Sequence, residues 1–476
     1  MELDELPEEV LSHILGALSQ IENAEEPYSY NPKELGGIFN ARLVCRRWNG
    51  LATKHAFRTI HLIPTEHGLE AWVGLLSSTQ IRSAARRLVV YSSPLAVREK
   101  GTDDWHGWED GKCPAFTDAI SQIGDLALID EICLRFSSIC QGIEAGLNWW
   151  DNDCEHMLDR KSTLKAVFEA IKDRASRPDT SKIHSVTIRH LQNAPLPDFT
   201  SSELFKSIAK DIDQLHLQVA EEYNEDGPDG DIYCIELVKF EPYMHNHWLS
   251  PLADHLTSLS LYFGECWGTM PGTFDGRGLF FPQLKTLSLG SYAISHHDHL
   301  DWVLAQSSLK TLRLDRCFIL SYISTEADKV EEWNLQTHDW ERLPVGAFGF
   351  ELAEDAVYRF MGTWESMFDK IRTGLPNLID FQFQIHHWGT VGFDNPNPLA
   401  TELSNGRYIA FDIGLCPSRW IEPSEYTGEL DFGDGVLSSD TSETNGGESM
   451  NRGKITEEGD RRAFEELLKA VSQRRR

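Results

Sequence analysis

The sequence predicts an α/β protein in which a helical N-terminal module of residues 1–62 precedes an irregular solenoid of strand–helix repeats over residues 80–418. Two amphipathic helical patterns fill the first 62 residues, a short apolar motif recurs along the body, and helix-compatible segments separate several copies of that motif. The 476 residues are enough for two or three domains, and a hydrophobic fraction of 41% can fill a sizeable core.

The first helical pattern begins at Leu6 and Pro7, because proline is favoured at the first position of a helix. Glu8 and Glu9 come next and complement the positive end of the helix dipole. Apolar side chains then recur at helical spacing, at Val10, Leu11, Ile14, Leu15 and Leu18. Their spacing predicts one broad apolar stripe along the helix.

The second helical pattern covers residues 41–52, where Val44, Trp48 and Leu51 are spaced to share one face. Residues 19–37, between the two patterns, contain prolines and glycines and predict a loop. About sixty residues could hardly bury this much apolar surface alone. We therefore expect it to be covered in part, either by the rest of the chain, as in an ordinary helical hairpin, or by another protein.

The residue order LPEEVLSHIL followed by ARLVCRRWNGLA resembles the F-box family, whose members begin with a Leu-Pro-x-Glu helix and continue to a Val-Cys-x-x-Trp helix. The resemblance covers about an eighth of the chain, and the segment between the two motifs is longer than is usual for the family. It implies docking onto a Skp-type adaptor of a cullin–RING ubiquitin ligase. The residues that match the adaptor-facing positions are Leu6, Pro7, Val10, Leu11, Ile14, Leu15, Leu43, Val44, Cys45 and Trp48.

The recurring motif of the body is one apolar residue, two variable residues, an apolar residue, one variable residue and an apolar residue. Its clear copies begin at Leu256, Leu284 and Leu309, and weaker copies begin at Ile129, Ile183, Ile212 and Leu378. Spacings of 29, 28 and 25 residues fall in the range of leucine-rich repeats. An F-box followed by such repeats resembles divergent fungal members of the family. A non-repetitive α/β domain with several similar strands remains the alternative, because two intervals are too long for one repeat.

Polar side chains flank the inward apolar positions of these strands and should point to the opposite face of the sheet. In a solenoid that face is the usual binding surface. The alternative is a solvated polar face that binds no ligand. The candidate target-binding residues are Arg189, His216, Tyr262, Arg313, Asp315, Gln382 and Gln384.

Segments rich in acidic residues and tryptophan interrupt the motif at residues 103–110 and 149–156, and Trp333, Trp340 and Trp364 lie in a third acidic region. These tryptophans could anchor a partner, but we favour their clamping long loops onto their own domain. Residues 420–453 predict an acidic disordered linker. Residues 454–476 predict a short amphipathic helix that either caps the preceding domain or stays mobile.

The net charge of −30 argues against nucleic acid and anionic membrane as bulk partners, because both would repel the chain. The nine cysteines are scattered without a CxxC pair, which predicts reduced thiols rather than a disulfide framework or a zinc site. The first 20 residues lack the basic, apolar character of a secretion signal, and no run of 18 apolar residues occurs. We therefore expect a cytoplasmic or nuclear protein that is not secreted.

The residues that could carry chemistry give little support for an enzyme. His296, His297, Asp298 and His299 are adjacent, and adjacent residues rarely converge on one ion, so the sequence predicts no metal and no cofactor. No catalytic residue stands out. The sequence predicts a non-catalytic substrate-recognition subunit of a ubiquitin ligase that docks on a Skp-type adaptor and holds an unknown protein target. The alternatives are a protein-interaction scaffold without ubiquitin transfer and a cytosolic hydrolase.

Overall fold

The computed structural model describes residues 6–22, 36–97, 113–141, 154–222, 238–274, 276–344, 347, 355–385, 401–414, 419–423, 430 and 451–476. The chain divides into two compact units. The first holds residues 1–191, 196–217 and 394–398, and the second holds residues 192–195, 218–393 and 399–476. None of the helices in the described ranges is both long enough and apolar enough to cross a membrane.

The first unit opens with three helices and continues with alternating helices and strands. The helices are α1 (Glu8–Glu22), α2 (Gly36–Ala41), α3 (Arg46–Ala56), α4 (Glu66–Ser77), α5 (Thr79–Ala84), α6 (Pro114–Ser121), α7 (Met157–Ala175), α8 (Pro197–Thr200) and α9 (Glu203–Ala209). The strands are β1 (Thr59–Leu62), β2 (Arg87–Tyr91), β3 (Glu131–Arg135), β4 (Cys140–Gln141), β5 (Glu155–His156), β6 (Ser185–Gln192) and β7 (Gln214–Ala220).

The strands β1, β2, β3 and β6 are parallel neighbours in that order. Their register places Leu88, Ile132 and Val186 in one row, and all three side chains are buried. Arg174, near the end of α7, is also buried and donates hydrogen bonds to the carbonyl oxygens of Leu126 and Ile129 at 2.9 and 2.7 Å. These bonds satisfy backbone acceptors that would otherwise be buried without a partner.

The second unit contains more strands than helices. Its strands are β8 (Ser258–Trp267), β9 (Thr286–Ile294), β10 (Thr311–Asp315), β11 (Phe318–Glu326), β12 (Trp340–Arg342), β13 (Asp355–Phe360), β14 (Asp380–Gln384), β15 (Tyr408–Asp412) and β16 (Trp420–Ile421). Its helices are α10 (Phe240–Met244), α11 (Asp301–Leu304), α12 (Lys329–Glu332), α13 (Trp364–Gly374), α14 (Arg452–Ile455) and α15 (Glu457–Arg474).

The recurring apolar motif aligns in register across four parallel strands of this unit. Leu261 on β8 lies beside Leu289 on β9, which lies beside Leu314 on β10, and that residue lies beside Phe383 on β14. All four side chains are buried. The motif therefore identified real strands and the positions at which their apolar side chains meet.

The irregular solenoid of strand–helix repeats expected over residues 80–418 is not what the structure has. The sheet is mixed, because β13 pairs antiparallel with β11 and β12, and β16 pairs antiparallel with β15. The connection from β9 to β10 holds only the four-residue helix α11. The arrangement corresponds to the alternative expectation, an α/β domain with several similar strands.

These strands also do not present the open polar face that was expected. Tyr262, Asp315, Gln382 and Gln384 are buried, and the Gln384 amide donates a hydrogen bond to the Asp315 carboxylate at 3.2 Å. The second-unit strands have little exposed surface on either face; eight of the nine residues of β9 are buried. Alternation along a strand separates two faces but does not tell which of them meets solvent. Only Arg189, His216 and Arg313 remain half-buried among the candidate target-binding residues.

The three tryptophans of the third acidic region are buried, in agreement with the favoured clamp. The Trp340 indole N–H donates to the Ser295 carbonyl oxygen at 2.7 Å, and the Trp364 indole N–H donates to the Arg407 carbonyl oxygen at 3.0 Å. Residues 103–110, most of residues 149–156 and most of residues 420–453 lie outside the described residues.

Candidate functional site

The three N-terminal helices form a small core of their own. Seven buried apolar residues make it up: Leu11, Leu15, Ile38, Ala41, Leu51, Ala52 and Ala56. Phe39, Trp48 and Phe57 pack against this cluster with part of their surface still exposed. The core lies between α1, α2 and α3, so each helix uses only one side to hold the module together.

The close approach of α1 to α3 depends on Gly16. A Cβ atom at Gly16 would lie 3.1 Å from the His55 ring, which is closer than most real Cβ contacts. The Ser12 hydroxyl and the His55 Nε2 atom form a hydrogen bond of 3.0 Å at the same crossing. Burial lowers the pKa of His55, and the neighbouring charges of Arg58 and Lys54 lower it further. The module therefore favours the neutral form of this ring.

The periodicity of residues 41–52 predicted one continuous helix, but the structure has a break within this segment. α2 ends at Ala41 and α3 begins at Arg46, with Cys45 as the N-cap residue whose sulfur accepts the backbone N–H of Trp48 at 3.5 Å. Leu43 and Val44 therefore lie in a turn, held by backbone hydrogen bonds from their N–H groups to Asn40 and Ala41. Cys45 is exposed.

Burial divides the predicted adaptor-facing residues into two groups. Leu11 and Leu15 are fully buried in the module core, so a partner could not reach their side chains. Pro7 and Cys45 are exposed, and Leu6 and Trp48 are half-buried.

Four large apolar side chains of the N-terminal module are open to solvent: Val10 is 43%, Ile14 45%, Leu43 83% and Val44 58% exposed. We call these four residues the apolar surface set. They make up four of the eleven large hydrophobic side chains that the described part of the chain exposes. Exposed apolar side chains that concentrate in one small module mark a contact site better than single ones scattered over a surface.

Two arginines fix the turn that carries half of this set. The Arg47 guanidinium donates a hydrogen bond to the Leu6 carbonyl oxygen, which ties the start of α3 to the start of α1. Arg42 donates to the Thr53 hydroxyl at 3.1 Å, and its guanidinium lies 4.8 Å from the centre of the Phe57 ring. Leu43 and Val44 are thus presented from a turn that is anchored on both sides.

Charged side chains accompany the apolar surface set. Glu8 and Glu9 are exposed in the first turn of α1, and Arg46 and Arg47 are exposed at the start of α3. An apolar centre with a charged rim is the usual composition of a protein–protein interface. Chemically, the module is suited to burying apolar surface against another protein.

A second cluster lies in the second unit and was missed by sequence reasoning. The His296 imidazole is hydrogen-bonded through Nδ1 to the Asp339 carboxylate, and it stacks on His338 with ring centres 4.8 Å apart. Burial is the main influence that lowers the pKa of His296. Burial opposes ionisation of Asp339, but the His297 backbone N–H and the His296 ring outweigh it and hold the pKa of that carboxyl below its usual range. Burial also lowers the pKa of the adjacent His299 to about 3.

Comparison with known proteins bears on the N-terminal module. Residues 3–63 match the family model described as F-box-like, which is the stretch that the two sequence motifs had marked. No curated protein matches the chain. The match supports an F-box protein, and the three-helix arrangement of residues 8–56 fits such a module.

Proposed function

We propose that this protein is the substrate-recognition subunit of an SCF-type cullin–RING ubiquitin ligase. Its F-box module docks on a Skp-type adaptor, and the remainder of the chain holds a protein target. The observation that carries the proposal is the apolar surface set on a module that matches the F-box-like model. Such a receptor performs no chemistry itself, because holding the target near the ubiquitin-loaded enzyme raises the effective concentration of its lysines.

The adaptor contact uses the exposed residues rather than the full stripe. Val10 and Ile14 on α1 and Leu43 and Val44 in the turn supply the apolar surface, and half-buried Trp48 packs against the module core. Burying an aliphatic side chain of this size is worth about 1.5–3 kcal/mol. Four such side chains are enough to matter for a stable complex, even after the cost of association is subtracted.

Co-expression of the full chain with a Skp-type adaptor tests the docking step. The wild-type chain should co-purify with the adaptor, and the double variant Ile14→Asp plus Val44→Asp should not, because each buries an unpaired carboxylate at the interface. Leu158→Asp is the matched control, since Leu158 is also exposed in the first unit, at 61%, but lies outside the module. Failure of the intact protein to bind the adaptor would overturn the proposal.

The receptor is distinguished from a mere scaffold by a second measurement. The purified complex should recruit the cullin and support ubiquitin transfer to proteins captured by the chain. A complex that forms with the adaptor but never stimulates transfer would point to the scaffold function instead. Arg189, His216 and Arg313, which are half-buried, are the candidates that we retain for target binding.

A further inference from the structure

The second cluster has the composition of a metal site. His296, His338 and Asp339 each offer one ligand atom, and the three atoms lie within 4.8 Å of one another. Two imidazole nitrogens and one carboxylate oxygen are donors that Zn²⁺ accepts readily, and three protein ligands leave one position for water or a further ligand. Mg²⁺ and Ca²⁺ prefer oxygen donors and fit this set poorly.

The three ligands come from two separated segments of the chain. His296 lies two residues after the end of β9, whereas His338 and Asp339 immediately precede β12. Trp340, the first residue of β12, stacks on His296 with the rings 3° from parallel and their centres 5.2 Å apart. Its indole N–H donates to the Ser295 carbonyl oxygen at 2.7 Å. These contacts hold the two segments together without any ion, so the ligand set is assembled in advance.

The carboxylate is positioned to serve both imidazoles. One oxygen of Asp339 is hydrogen-bonded to His296 Nδ1 and lies 3.9 Å from His338 Nε2. The other oxygen accepts the His297 backbone N–H at 2.9 Å. Ligand atoms around a tetrahedral zinc ion are separated by about 3.3 Å, since zinc–nitrogen and zinc–oxygen bonds are about 2.0 Å long. To meet that spacing, the His338 ring must turn towards Asp339 and the hydrogen bond between His296 and Asp339 must lengthen.

The surroundings suit a cation. The nearby basic side chains already have acidic partners, because Arg277 pairs with Asp298 at 3.5 Å and Lys370 pairs with Asp301 at 3.6 Å. The Asp339 carboxylate therefore supplies the charge of the cluster. The His338 side chain is 49% exposed and gives an ion access from solvent, while those of His296 and Asp339 are only 6% and 17% exposed.

We propose that His296, His338 and Asp339 form a binding site for a divalent transition-metal ion of the Zn²⁺ type. On binding, the neutral His296 ring offers its Nδ1 lone pair to the ion and carries its single N–H on Nε2, so the hydrogen bond to Asp339 is replaced by two metal–ligand bonds. The ring and the carboxylate release no net proton, and nothing is oxidised. The site is independent of the F-box module and of the proposed ligase function.

Metal binding by the full chain tests the proposal. Purified protein, stripped with a chelator and dialysed against Zn²⁺ or Co²⁺, should retain one ion per chain by elemental analysis. The Co²⁺ form should absorb visible light with the intensity of a tetrahedral site, and Zn²⁺ should bleach that absorption by displacement. Mg²⁺ or Ca²⁺ in large excess should leave it unchanged, whereas equal competition by them would contradict nitrogen ligation.

Two variants and one control assign the residues. His338→Ala and Asp339→Asn should weaken Zn²⁺ affinity at least about 100-fold, since each removes a direct ligand and even indirect partners contribute 10- to 100-fold. His297→Ala is the matched control, because its exposed side chain lies next to the site while its backbone N–H is retained. Circular dichroism checks the fold of each variant. Absence of binding to the wild type, or equal binding by all four proteins, would overturn the proposal.

Discussion

Two amphipathic helices at opposite ends of the sequence have similar apolar patterns and different surroundings. Helix α15 buries Phe464, Leu467 and Val471 within the second unit, where the Phe464 ring lies 5.2 Å from that of Phe368 on α13. Helix α1 buries Leu11 and Leu15 in the module core but leaves two further apolar side chains about half exposed.

The difference separates a helix that its own unit covers from a helix with apolar surface available for the proposed adaptor contact. The chain itself covers α15, and a buried polar network locks it in place, so its apolar stripe is accounted for by its own unit. Among the described residues, α1 is covered on only one side, and an exposed apolar surface of this kind is what the proposed adaptor contact would use. Periodicity alone indicates that a helix has an apolar face, whereas burial in the structure shows whether the rest of the chain covers that face.

The largest effect is expected from removing the charge that locks α15. The Asp460 carboxylate, fully buried, accepts hydrogen bonds from the Arg407 guanidinium at 2.8 Å and from the Tyr408 hydroxyl at 2.7 Å. Asp460→Ala leaves the buried guanidinium uncompensated and should lower the free energy of unfolding by about 3–5 kcal/mol. Chemical denaturation of the full chain measures it.

An ion pair between α15 and α13 at the surface provides the control. Arg462 pairs with Glu365, and their side chains are 62% and 39% exposed. Arg462→Ala should therefore cost no more than about 1 kcal/mol. Equal losses from Asp460→Ala and Arg462→Ala would show that the buried network does not hold α15.

The next effect distinguishes the two sides of α1. Leu11→Ala should destabilise the module by about 2–5 kcal/mol, because it opens a cavity in a closed core. Ile14→Ala, at a 45% exposed position, should change stability by no more than about 0.5 kcal/mol. Hydrogen exchange of peptides from α1 and α3 measures both changes. If Ile14→Ala accelerates exchange as much as Leu11→Ala, then Ile14 belongs to the core and not to the binding surface.

A smaller and more gradual effect is expected from pH. Burial lowers the pKa of His61, His190 and His216 in the first unit to about 4, against 6.5 when the chain is unfolded. The unfolded state therefore binds more protons below pH 6.5, and stability should fall as pH drops from 6.5 towards 4. Well above pH 6.5, where the unfolded chain no longer protonates them, these three histidines contribute no pH dependence.

The variant His216→Gln removes one of these titrating groups. Its free energy of unfolding should fall less steeply between pH 6.5 and pH 4 than that of the wild type. The number of protons taken up on unfolding, which sets this slope, should be smaller by up to one. Denaturation series at several pH values compare the two proteins. An unchanged slope would mean that the His216 ring is protonated as easily in the folded chain as in the unfolded one.

The sequence was sufficient where local pattern determines structure. The motif residues Leu261, Leu289 and Leu314 lie in the same register row. Their inward orientation was predictable because alternation along each strand is a local property of the sequence. The two N-terminal motifs marked the module that the F-box-like match covers. Helix α15 was also expected from its spacing, although nothing in that spacing revealed that it would be docked.

The sequence was insufficient where distant segments decide the outcome. The break before α3 depends on Cys45 acting as a cap, which apolar periodicity does not report. Asp339 meets His296 across 43 positions of chain, a contact that the adjacent residues His296 to His299 do not reveal. Tyr262 and Gln384 were placed on an open face because alternation does not reveal whether that face is covered.

Direct titration of the adaptor against purified full-length protein tests the central claim most directly. Val44→Asp alone should raise the dissociation constant about 30- to 100-fold, or about 2–3 kcal/mol, because it introduces a carboxylate at the proposed interface. Val73→Asp, at an equally exposed apolar position on α4, should leave the dissociation constant unchanged. Equal affinities of the wild type and both variants would contradict the account, because the adaptor would then bind elsewhere.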